Sequence, residues 1–315
     1  MILVAGSANL DFVVRANHIP QPGETVLGRD FKTFPGGKGA NQAVAAARAG
    51  GVSTQLLAGL GNDAFAVPIE ASLSEAGVVL MAVRVSDQPT GTAFICVSDD
   101  AENAITVAPG ANQGLQAQHL PALDGISHLL LQLETPMDTV TAFAVAARAQ
   151  GVCVVLNAAP AQELPAAVLQ AVDILVVNEG ELAVVAKHDG SIAACLERIK
   201  VPTVVVTLGH RGCCARVEGQ WVLQAAYPIT PVDTTAAGDT FCGALVAALS
   251  QGADMAHALQ RASAAGALAC TRLGAQSSIP AAAEVCAFLA NQTNSGTAST
   301  AATETALRAF CGLPD

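Results

Sequence analysis

The segment VDTTAAGDT, at residues 232–240, places the carboxylate of Asp239 directly after Gly238 and at the start of an apolar, helix-like stretch, FCGALVAALS. The first N–H groups of a helix have no partner within the helix, and their partial positive charge binds anions. A phosphoryl group in transfer is such an anion. A carboxylate beside it could take the proton of an attacking hydroxyl, which contributes about 10² to 10⁴ in rate. The alternative is that Asp239 only interacts favourably with the helix dipole, by about 0.3 to 1 kcal/mol, and the segment alone leaves both interpretations open.

Polar side chains near the N-terminus could converge on a second ligand. The segment FPGGKGANQ (34–42) combines two glycines with Lys38 and Asn41 at a predicted strand-to-helix junction, where backbone can approach a ligand closely. It is not a Walker A loop, because glycine follows Lys38 where that loop has Ser or Thr. In GSANLDF, Asn9 and Asp11 lie two positions apart and share one face of an extended chain. An ionised carboxylate that accepts two hydroxyl hydrogens suits a vicinal diol, although a turn or cap role stays open for each residue.

Two further motifs follow predicted strands. In VVNEGE, Asn178 and Glu181 lie three positions apart at a strand-to-helix junction. Their oxygen atoms suit Mg²⁺ held largely through water, but the same spacing is that of a capping box, and both can be true. In TLGHRG, a hydroxyl, a glycine turn and Arg211 follow another strand. Both motifs therefore predict polar groups at the end of a sheet.

Short apolar runs predict the strands that must position these residues. They lie at 2–6, 55–61, 128–134, 153–160, 173–181 and 203–209. Nearly continuous apolar character is typical of parallel strands buried on both faces. Ala-rich helical stretches at 39–50, 136–151 and 164–172 separate several of them. This alternation predicts an α/β domain with ligands bound beyond the carboxyl ends of the strands.

Three segments depart from the alternation. Residues 12–36 and 89–111 alternate apolar and polar positions between turn residues, which predicts antiparallel hairpins in a small projecting sheet. Such a sheet could cover a site, pair with another subunit, or do both. Residues 291–315 begin with fourteen residues of Asn, Gln, Thr, Ser, Gly, Ala and Glu, which predicts a flexible C-terminal extension followed by a short helix.

Composition excludes several classes of function. The chain is 52% hydrophobic, carries a formal net charge of −11 and has no run of Lys or Arg, which argues against nucleic-acid or anionic-membrane binding. Its nine cysteines are odd in number and scattered without a CxxC pair, so we expect buried thiols in a reducing compartment and no structural zinc. The N-terminal residues lack the pattern of a signal peptide, and no apolar run reaches 18 residues. We therefore expect a cytoplasmic protein that acts on small molecules.

An ordered set of motifs resembles the ribokinase branch of the pfkB carbohydrate kinase family over residues 1 to 290. The motifs are GSANLD, PGETV, GGKGANQAVAAA, TGTAFI, LQLETP, LNAAPA, VNEGE, TLGHRG, VDTTAAGDTFCGAL and TRLGAQSSIP. One motif alone would be weak, but ten in this order are highly specific. The resemblance implies a ribokinase-like three-layer α/β/α sandwich, with a mostly parallel central sheet and a small antiparallel β lid formed by residues 12–36 and 89–111.

The resemblance also implies roles for individual residues. Asp239 matches the catalytic base, and the amides of Ala236, Ala237 and Gly238 match the anion hole. Sugar-contacting positions are matched by Asn9, Asp11, Gly37, Lys38, Asn41, Glu134 and Asp239. Nucleotide-contacting positions are matched by Asn178, Thr207, Gly209, Gly212, Gly238 and Ser263. Ser263 stands where relatives often present Asn or His near the adenine, which leaves the preferred nucleobase open.

Two cations are implied in the same way. K⁺ would lie beside the anion hole, at positions matched by Asp233, Thr235, Ala269, Arg272, Gly274 and Ser278. Asn178 and Glu181 match the pair associated with Mg²⁺. A cation fixed beside the helix N-terminus would strengthen the anion hole electrostatically.

The implied activity is transfer of a phosphoryl group from ATP to the 5-hydroxyl of D-ribose, by a homodimer clasped through the lid. A deoxyribokinase, or another sugar or nucleoside kinase of the family, is the near alternative, because the sequence does not identify the residue that meets the 2-hydroxyl. A non-catalytic sugar-binding regulatory protein on the same fold is a second alternative, against which the intact Asp239 and residues 236–238 argue. A Rossmann dehydrogenase is disfavoured, because no GxGxxG motif is followed by an acidic residue about twenty positions on.

Overall fold

Strands buried on both faces form the centre of the molecule in a computed structural model, which describes residues 1–100, 102–294 and 301–313. The strands are β1 (Ile2–Ala5), β2 (Asn9–Arg15), β3 (Asp30–Gly36), β4 (Thr54–Gly61), β5 (Val79–Val85), β6 (Gly91–Val97), β7 (Asn103–Ala108), β8 (His128–Leu131), β9 (Cys153–Asn157), β10 (Ile174–Asn178), β11 (Thr203–Thr207), β12 (Gly212–Val217) and β13 (Gln220–Ala225). The helices are α1 (Lys38–Arg48), α2 (Ala66–Glu75), α3 (Met137–Ala149), α4 (Ala166–Ala171), α5 (Glu179–Ala186), α6 (Ile192–Glu197), α7 (Ala237–Ser250), α8 (Met255–Ala269), α9 (Ala282–Asn294) and α10 (Ala301–Cys311).

The main sheet has nine strands in the order β13-β12-β11-β10-β9-β8-β1-β4-β5. Six of its strand pairings are parallel, and the two pairings at the β13 end are antiparallel. All six predicted strands are present, which confirms the α/β class. Five of them end one to three residues earlier than predicted, and only the strand predicted at 55–61 ends where expected. The run at 173–181 ends as a strand at Asn178, because its side chain caps helix α5.

Two apolar cores, one on each face of the main sheet, give the three-layer α/β/α sandwich. Neighbouring residues of a buried strand alternate between them, because successive side chains point to opposite faces. On β8, Leu130 lies in the core with α1, α7 and α8, whereas Leu129 and Leu131 lie in the core with α3. This burial on both faces explains the nearly continuous apolar runs of the sequence.

A second sheet of four strands, in the order β3-β2-β6-β7, is built from the two predicted hairpins. Each hairpin is antiparallel, and the two join through a parallel pairing of β2 with β6. Large apolar side chains of this sheet are open to solvent: Phe31 is 63% exposed, Phe94 54% and Ile105 55%. That the sheet acts as a lid stays a prediction.

Small residues let α1 and α7 pack closely, and this contact brings the beginnings of both helices together. A Cβ atom at Gly243 of α7 would lie 2.4 Å from the carbonyl oxygen of Gln42 and 2.6 Å from the Cβ of Ala45 on α1. Any larger side chain there would push the helices apart. The first turns of α1 and α7, which carry Lys38, Asn41 and Asp239, therefore share one region.

The C-terminal part continues past the predicted boundary at residue 290, which falls inside α9. Residues 295–300, part of the predicted flexible stretch, lie outside the described residues, and α10 follows them. Leu307 and Cys311 of α10 are buried against the sheet. In the described part of the chain, no helix is long and apolar enough to cross a membrane.

Candidate active site

Asp239 lies in the first turn of α7 and is buried, with 8% of its surface exposed. Adjacent residues of α1 hold both of its carboxylate oxygens. The side-chain amide of Asn41 donates to Oδ2 at 3.0 Å, and that of Gln42 donates to Oδ1 at 2.9 Å. Two donors fix the orientation of the carboxylate and replace the water that it loses on burial.

A network of buried amides continues behind this contact. Gln42 Nε2 also donates to Asn157 Oδ1 at 3.0 Å, and its Oε1 accepts from Gln132 Nε2 at 2.6 Å. Asn157 in turn donates to the carbonyl of Val176 at 3.2 Å. The sequence analysis missed Gln42, Gln132 and Asn157. Their signal was a single polar residue in each of three apolar runs, since buried amides require partners.

The start of α7 has an unusual backbone. Its N-cap residue, Ala236, lies in the left-handed region with φ of 58°, which is strained for a residue with a Cβ atom. The N–H of Ala237 donates to the carbonyl of Thr234 at 3.2 Å. A Cβ atom built on Gly238 would meet nothing within 4 Å, so this residue faces open space. Of the three residues predicted to form the anion hole, Gly238 is therefore the most accessible to a ligand.

Two cavities meet at Gly238. The larger has a volume of about 430 Å³, and its walls include the predicted nucleotide-contacting residues Thr207, Gly209, Gly212, Gly238 and Ser263. The smaller, of about 170 Å³, is lined by residues that include Lys38, Asn178, Glu181, Thr207, Gly238 and Asp239. Thr207 and Gly238 contribute to both walls. A linear ligand could therefore extend from one cavity into the other past the start of α7.

Lys38 is the cation among a group of buried acids. The charge of Asp239 is the main cause of a raised Lys38 pKa; burial opposes it, and Glu134 adds to it. Burial is the main cause that raises the pKa of Asp11 to about 7, with further contributions from the charges of Glu134 and Asp239. Glu134 Oε2 accepts from the backbone N–H of Lys38 at 3.1 Å. Asp11, Glu134, Lys38 and Asp239 therefore form one electrostatic cluster.

Gly36 and Gly37 let strand β2 approach the beginning of α1. A Cβ atom at Gly36 would lie 2.1 Å from Asp11 Oδ2, and one at Gly37 would lie 2.8 Å from the backbone nitrogen of Asn9. Gly37 also has φ of 88°, a conformation that favours glycine. The sequence analysis assigned these glycines to the approach of a ligand. The structure shows that they also make room for the two predicted sugar-contacting residues of β2.

Asn178 and Glu181 form the capping box that the sequence analysis gave as an alternative. Asn178 Oδ1 accepts from the N–H of Glu181 at 2.8 Å, and Glu181 Oε2 accepts from the N–H of Asn178 at 2.8 Å. Burial is the main cause that raises the pKa of Glu181, partly offset by the Asn178 hydrogen bond and by Lys38. In the residues that the structure covers, no group of three or more His, Cys, Asp or Glu could hold a metal ion. The capping hydrogen bonds use Asn178 Oδ1 and Glu181 Oε2, and Mg²⁺ near this pair stays a prediction.

Three of the residues predicted for K⁺ are in direct contact. Asp233 Oδ1 accepts from Thr235 N at 2.9 Å and from Thr235 Oγ1 at 2.6 Å, and its Oδ2 accepts from Gly274 N at 2.9 Å. Burial alone would raise the pKa of Asp233, but these hydrogen bonds outweigh it and lower the pKa. An ionised carboxylate beside the backbone of two turns fits a monovalent cation.

The other three predicted K⁺ residues are Ala269, the last residue of α8, and Arg272 and Ser278 in the segment that follows it. The carbonyl of Ala269 accepts from the N–H of Arg272 at 3.2 Å, and the side chain of Arg272 pairs with Glu284. Ser278 is buried, and its hydroxyl donates to the carbonyl of Ala275 at 2.8 Å. Within this set, the carbonyl of Ala269 and the backbone of the turn are the groups that suit a cation, whereas the Arg272 guanidinium does not.

Comparison with known proteins gives a consistent result. Residues 1–282 match the model of the pfkB family carbohydrate kinases. The ribokinase of Haemophilus influenzae is 37% identical over 300 residues, which cover 91% of this chain and 98% of that protein. A deoxyribokinase of Salmonella typhi is 32% identical over 292 residues, covering 89% and 95%. The structure of Arabidopsis thaliana ribokinase complexed with ribose and ATP superposes with a TM-score of 0.84 at 30% identity, over 91% of this chain and 98% of that one.

The raised pKa of Asp11 gives a prediction for stability. Its value moves from 3.8 to about 7 in the folded chain, so folding favours the protonated form. The folded state therefore loses stability as the pH rises from about 4 through 7, by up to roughly 4 kcal/mol at about 1.4 kcal/mol per pKa unit. Asp11→Asn should remove this loss. The free energy of unfolding, measured with urea at pH 5 and pH 8, tests this prediction, with Asp87→Asn at an exposed position as control. An equal pH response in wild type and Asp11→Asn would contradict it.

The amide network gives a second prediction. Gln42→Leu leaves three buried atoms without their Gln42 partner: Gln132 Nε2, Asn157 Oδ1 and Asp239 Oδ1. Each unsatisfied group costs about 1 to 3 kcal/mol, so we expect the free energy of unfolding to fall by at least about 2 kcal/mol. Gln150→Leu, at the exposed residue that directly follows α3, is the matched control and should change it little. A Gln42→Leu variant as stable as this control would contradict the assigned network.

Proposed function

This chain is a member of the pfkB family of carbohydrate kinases, and we propose that this sugar kinase is an ATP-dependent ribokinase, which phosphorylates the 5-hydroxyl of D-ribose. One observation carries the proposal. The larger cavity and the smaller, charged cavity meet at Gly238, directly beside the buried carboxylate of Asp239. A kinase needs such a passage, because donor and acceptor must meet at the transferred phosphoryl group.

ATP would occupy the larger cavity. Its mostly apolar walls suit a nucleobase, and Ser263 lies in them with its hydroxyl 3.5 Å from the thiol of Cys213. The phosphates would extend towards the start of α7, where the backbone of Gly238 faces open space. The partial positive charge of the helix N-terminus would hold the transferred group there.

The sugar would lie beside the smaller cavity, where Lys38 and Asp239 of its lining approach Asp11 and Glu134. The 5-hydroxyl oxygen attacks the γ-phosphorus, the bond to the bridging oxygen of ADP breaks, and Asp239 takes the hydroxyl proton. Asn41 and Gln42 hold the Asp239 carboxylate in place for this transfer. Lys38 would balance the negative charge that gathers at the site. Asn9, Asp11, Gly37 and Glu134 would contact the remaining hydroxyls, with the Asp11 carboxylate suited to the 2,3-diol.

Two cations fit this reaction. Mg²⁺ would be held near Asn178 and Glu181 through water and would neutralise phosphate charge. K⁺ would be held by Asp233 and by backbone oxygens of residues 235 and 269–278, and would add positive charge beside the anion hole. Hydrogen bonds already hold Asp233 ionised between the two turns, which supports this assignment.

The four-stranded sheet would close over the sugar. Asp11 of β2 lies in the same cross-strand row as Ala93 and Val107, so Val107 shares its face of the sheet. Phe31 and Phe94 are exposed on the opposite face and Ile105 on the face of Asp11, so each face carries an apolar side chain that suits pairing with a second copy of the chain. We infer a homodimer through this sheet, and a monomer in light scattering at assay concentration would contradict it.

A deoxyribokinase is the second candidate, and the 32% identity with the Salmonella protein favours keeping it in view. The 2-hydroxyl decides between the two. A site that hydrogen-bonds this hydroxyl can reject the deoxy sugar by about 10⁴ to 10⁵, whereas an apolar site discriminates far less. The side chains proposed to contact the sugar are polar, which supports ribose: Asn9, Asp11, Lys38, Asn41 and Glu134.

A coupled assay of ADP release tests the function. Ribose, 2-deoxyribose, fructose and adenosine are compared in K⁺ and with Na⁺ in its place. We expect turnover to be highest with ribose in K⁺, and lower in Na⁺. Asp233→Asn should reduce the difference between the two salts. Turnover with none of the four acceptors would remove the assignment, and faster turnover of 2-deoxyribose would move it to the second candidate.

Asp239→Asn tests the mechanism. The variant keeps the size of the side chain but cannot take the proton, so we expect sugar and nucleotide binding to persist while kcat falls at least about 10²-fold. Asp254→Asn is the matched control, because Asp254 also begins a helix but is exposed and lies outside both cavities. An Asp239→Asn enzyme with unchanged kcat would refute the role of Asp239 as the base.

A further inference from the structure

Helix α10 lies beyond residue 282, where the match to the family ends, yet it is packed on the kinase domain. Leu307 is 4% exposed and Cys311 is fully buried. Cys214 on β12 is also fully buried, and the Cys311 thiol beside it raises the pKa of Cys214. At the end of the helix, Gly312 turns with φ of 77°, and a Cβ atom there would lie 2.8 Å from the Cβ of Ser191 at the start of α6. The helix therefore packs at a defined position against β12, β13 and α6.

One residue of this helix contacts the turn between β11 and β12. The ring of Phe310 lies under the guanidinium of Arg211, with 4.2 Å from the guanidinium carbon to the ring centroid. A cation over an aromatic face at this distance is attracted by the charge distribution of the ring. Because Phe310 is 39% exposed and Arg211 is also exposed, this contact is at the surface and is not part of the apolar core.

The same turn forms one wall of the larger cavity. Gly209, His210 and Gly212 line it, and Arg211 lies between them in sequence. The two glycines have φ of 55° and 116°, values that favour glycine. Glycine-rich turns lose much conformational freedom when a ligand orders them, so a contact that fixes the turn in advance lowers the entropic cost of binding.

We propose that Phe310 is a positioning residue for the nucleotide, which acts by holding Arg211 and with it the turn at residues 208–212. Helix α10, which lies outside the region matched to the family, then stabilises the wall of the larger cavity that binds the nucleotide. The inference rests on the proposed function in one respect, namely that the nucleotide occupies the larger cavity. Phe310 itself does not line that cavity, so its effect passes through the turn.

Titration calorimetry with ADP tests this inference on the full chain. Phe310→Ala should weaken ADP binding about two- to fivefold, as expected for loss of an exposed cation–π contact. Phe310→Tyr keeps an aromatic face and should bind ADP like wild type. Arg211→Met should weaken ADP binding to the same extent as Phe310→Ala, and the double variant should be no weaker than either single variant, because both changes remove one interaction.

The sugar provides the readout that separates positioning from general damage. The KM for the sugar should stay at the wild-type value in all of these variants, because none of the proposed sugar-contacting residues lies on the turn at residues 208–212. Glu304→Gln, at an exposed position of the same helix, is the matched control and should leave both ligands unaffected.

Three results would overturn the inference: ADP affinity unchanged in Phe310→Ala, an equal loss for ADP and sugar, or additive losses in the double variant. Failure of the proposed function looks different. A wild-type protein that releases ADP with none of the tested sugars removes the ribokinase assignment, while the ADP titrations still decide the role of Phe310.

Discussion

The contact between Asp239 and the paired amides of Asn41 and Gln42 joins helices that are almost 200 residues apart in the chain. A buried carboxylate is costly unless donors replace its lost water. The two amide donors are therefore needed where α1 packs against α7. The close packing at Gly243 permits this contact, and the amides behind Gln42 extend it to the ends of β8 and β9. The hydrogen bonds that orient the proposed base therefore also stabilise the core.

Charge sets the second constraint. The chain has a net charge of −11. Glu134, Glu181 and Asp239 act on a single lysine, Lys38, and the charges of Glu134 and Asp239 also act on Asp11. Such a site repels phosphate unless backbone amides or cations oppose the repulsion. The open side of Gly238 at the start of α7, and the ionised Asp233 where we propose that K⁺ binds, are the features that fit this requirement. An acidic protein could bind a polyanionic substrate by these local means.

Much of the fold could be predicted from the sequence, because strands buried on both faces leave continuous apolar runs such as those of β1 and β11. Residues near strand ends and helix starts could be placed for the same reason, and the capping box of Asn178 and Glu181 is set by local spacing. The partners of Gln42 could not be predicted, since they come from strands about 90 and 115 residues away. A short helix near the C-terminus could be predicted, but not where it packs, because that depends on contacts with Arg211 and Cys214 elsewhere in the chain.

A crystal structure with ribose, Mg²⁺, K⁺ and a non-hydrolysable ATP analogue tests the central claim most directly. The account predicts the 5-hydroxyl oxygen at about 2.6 to 3.2 Å from a carboxylate oxygen of Asp239. It also predicts the γ-phosphate against the backbone of Gly238, with the adenine in the larger cavity. A sugar that presents another hydroxyl to the phosphate, or a γ-phosphate remote from the start of α7, would contradict it.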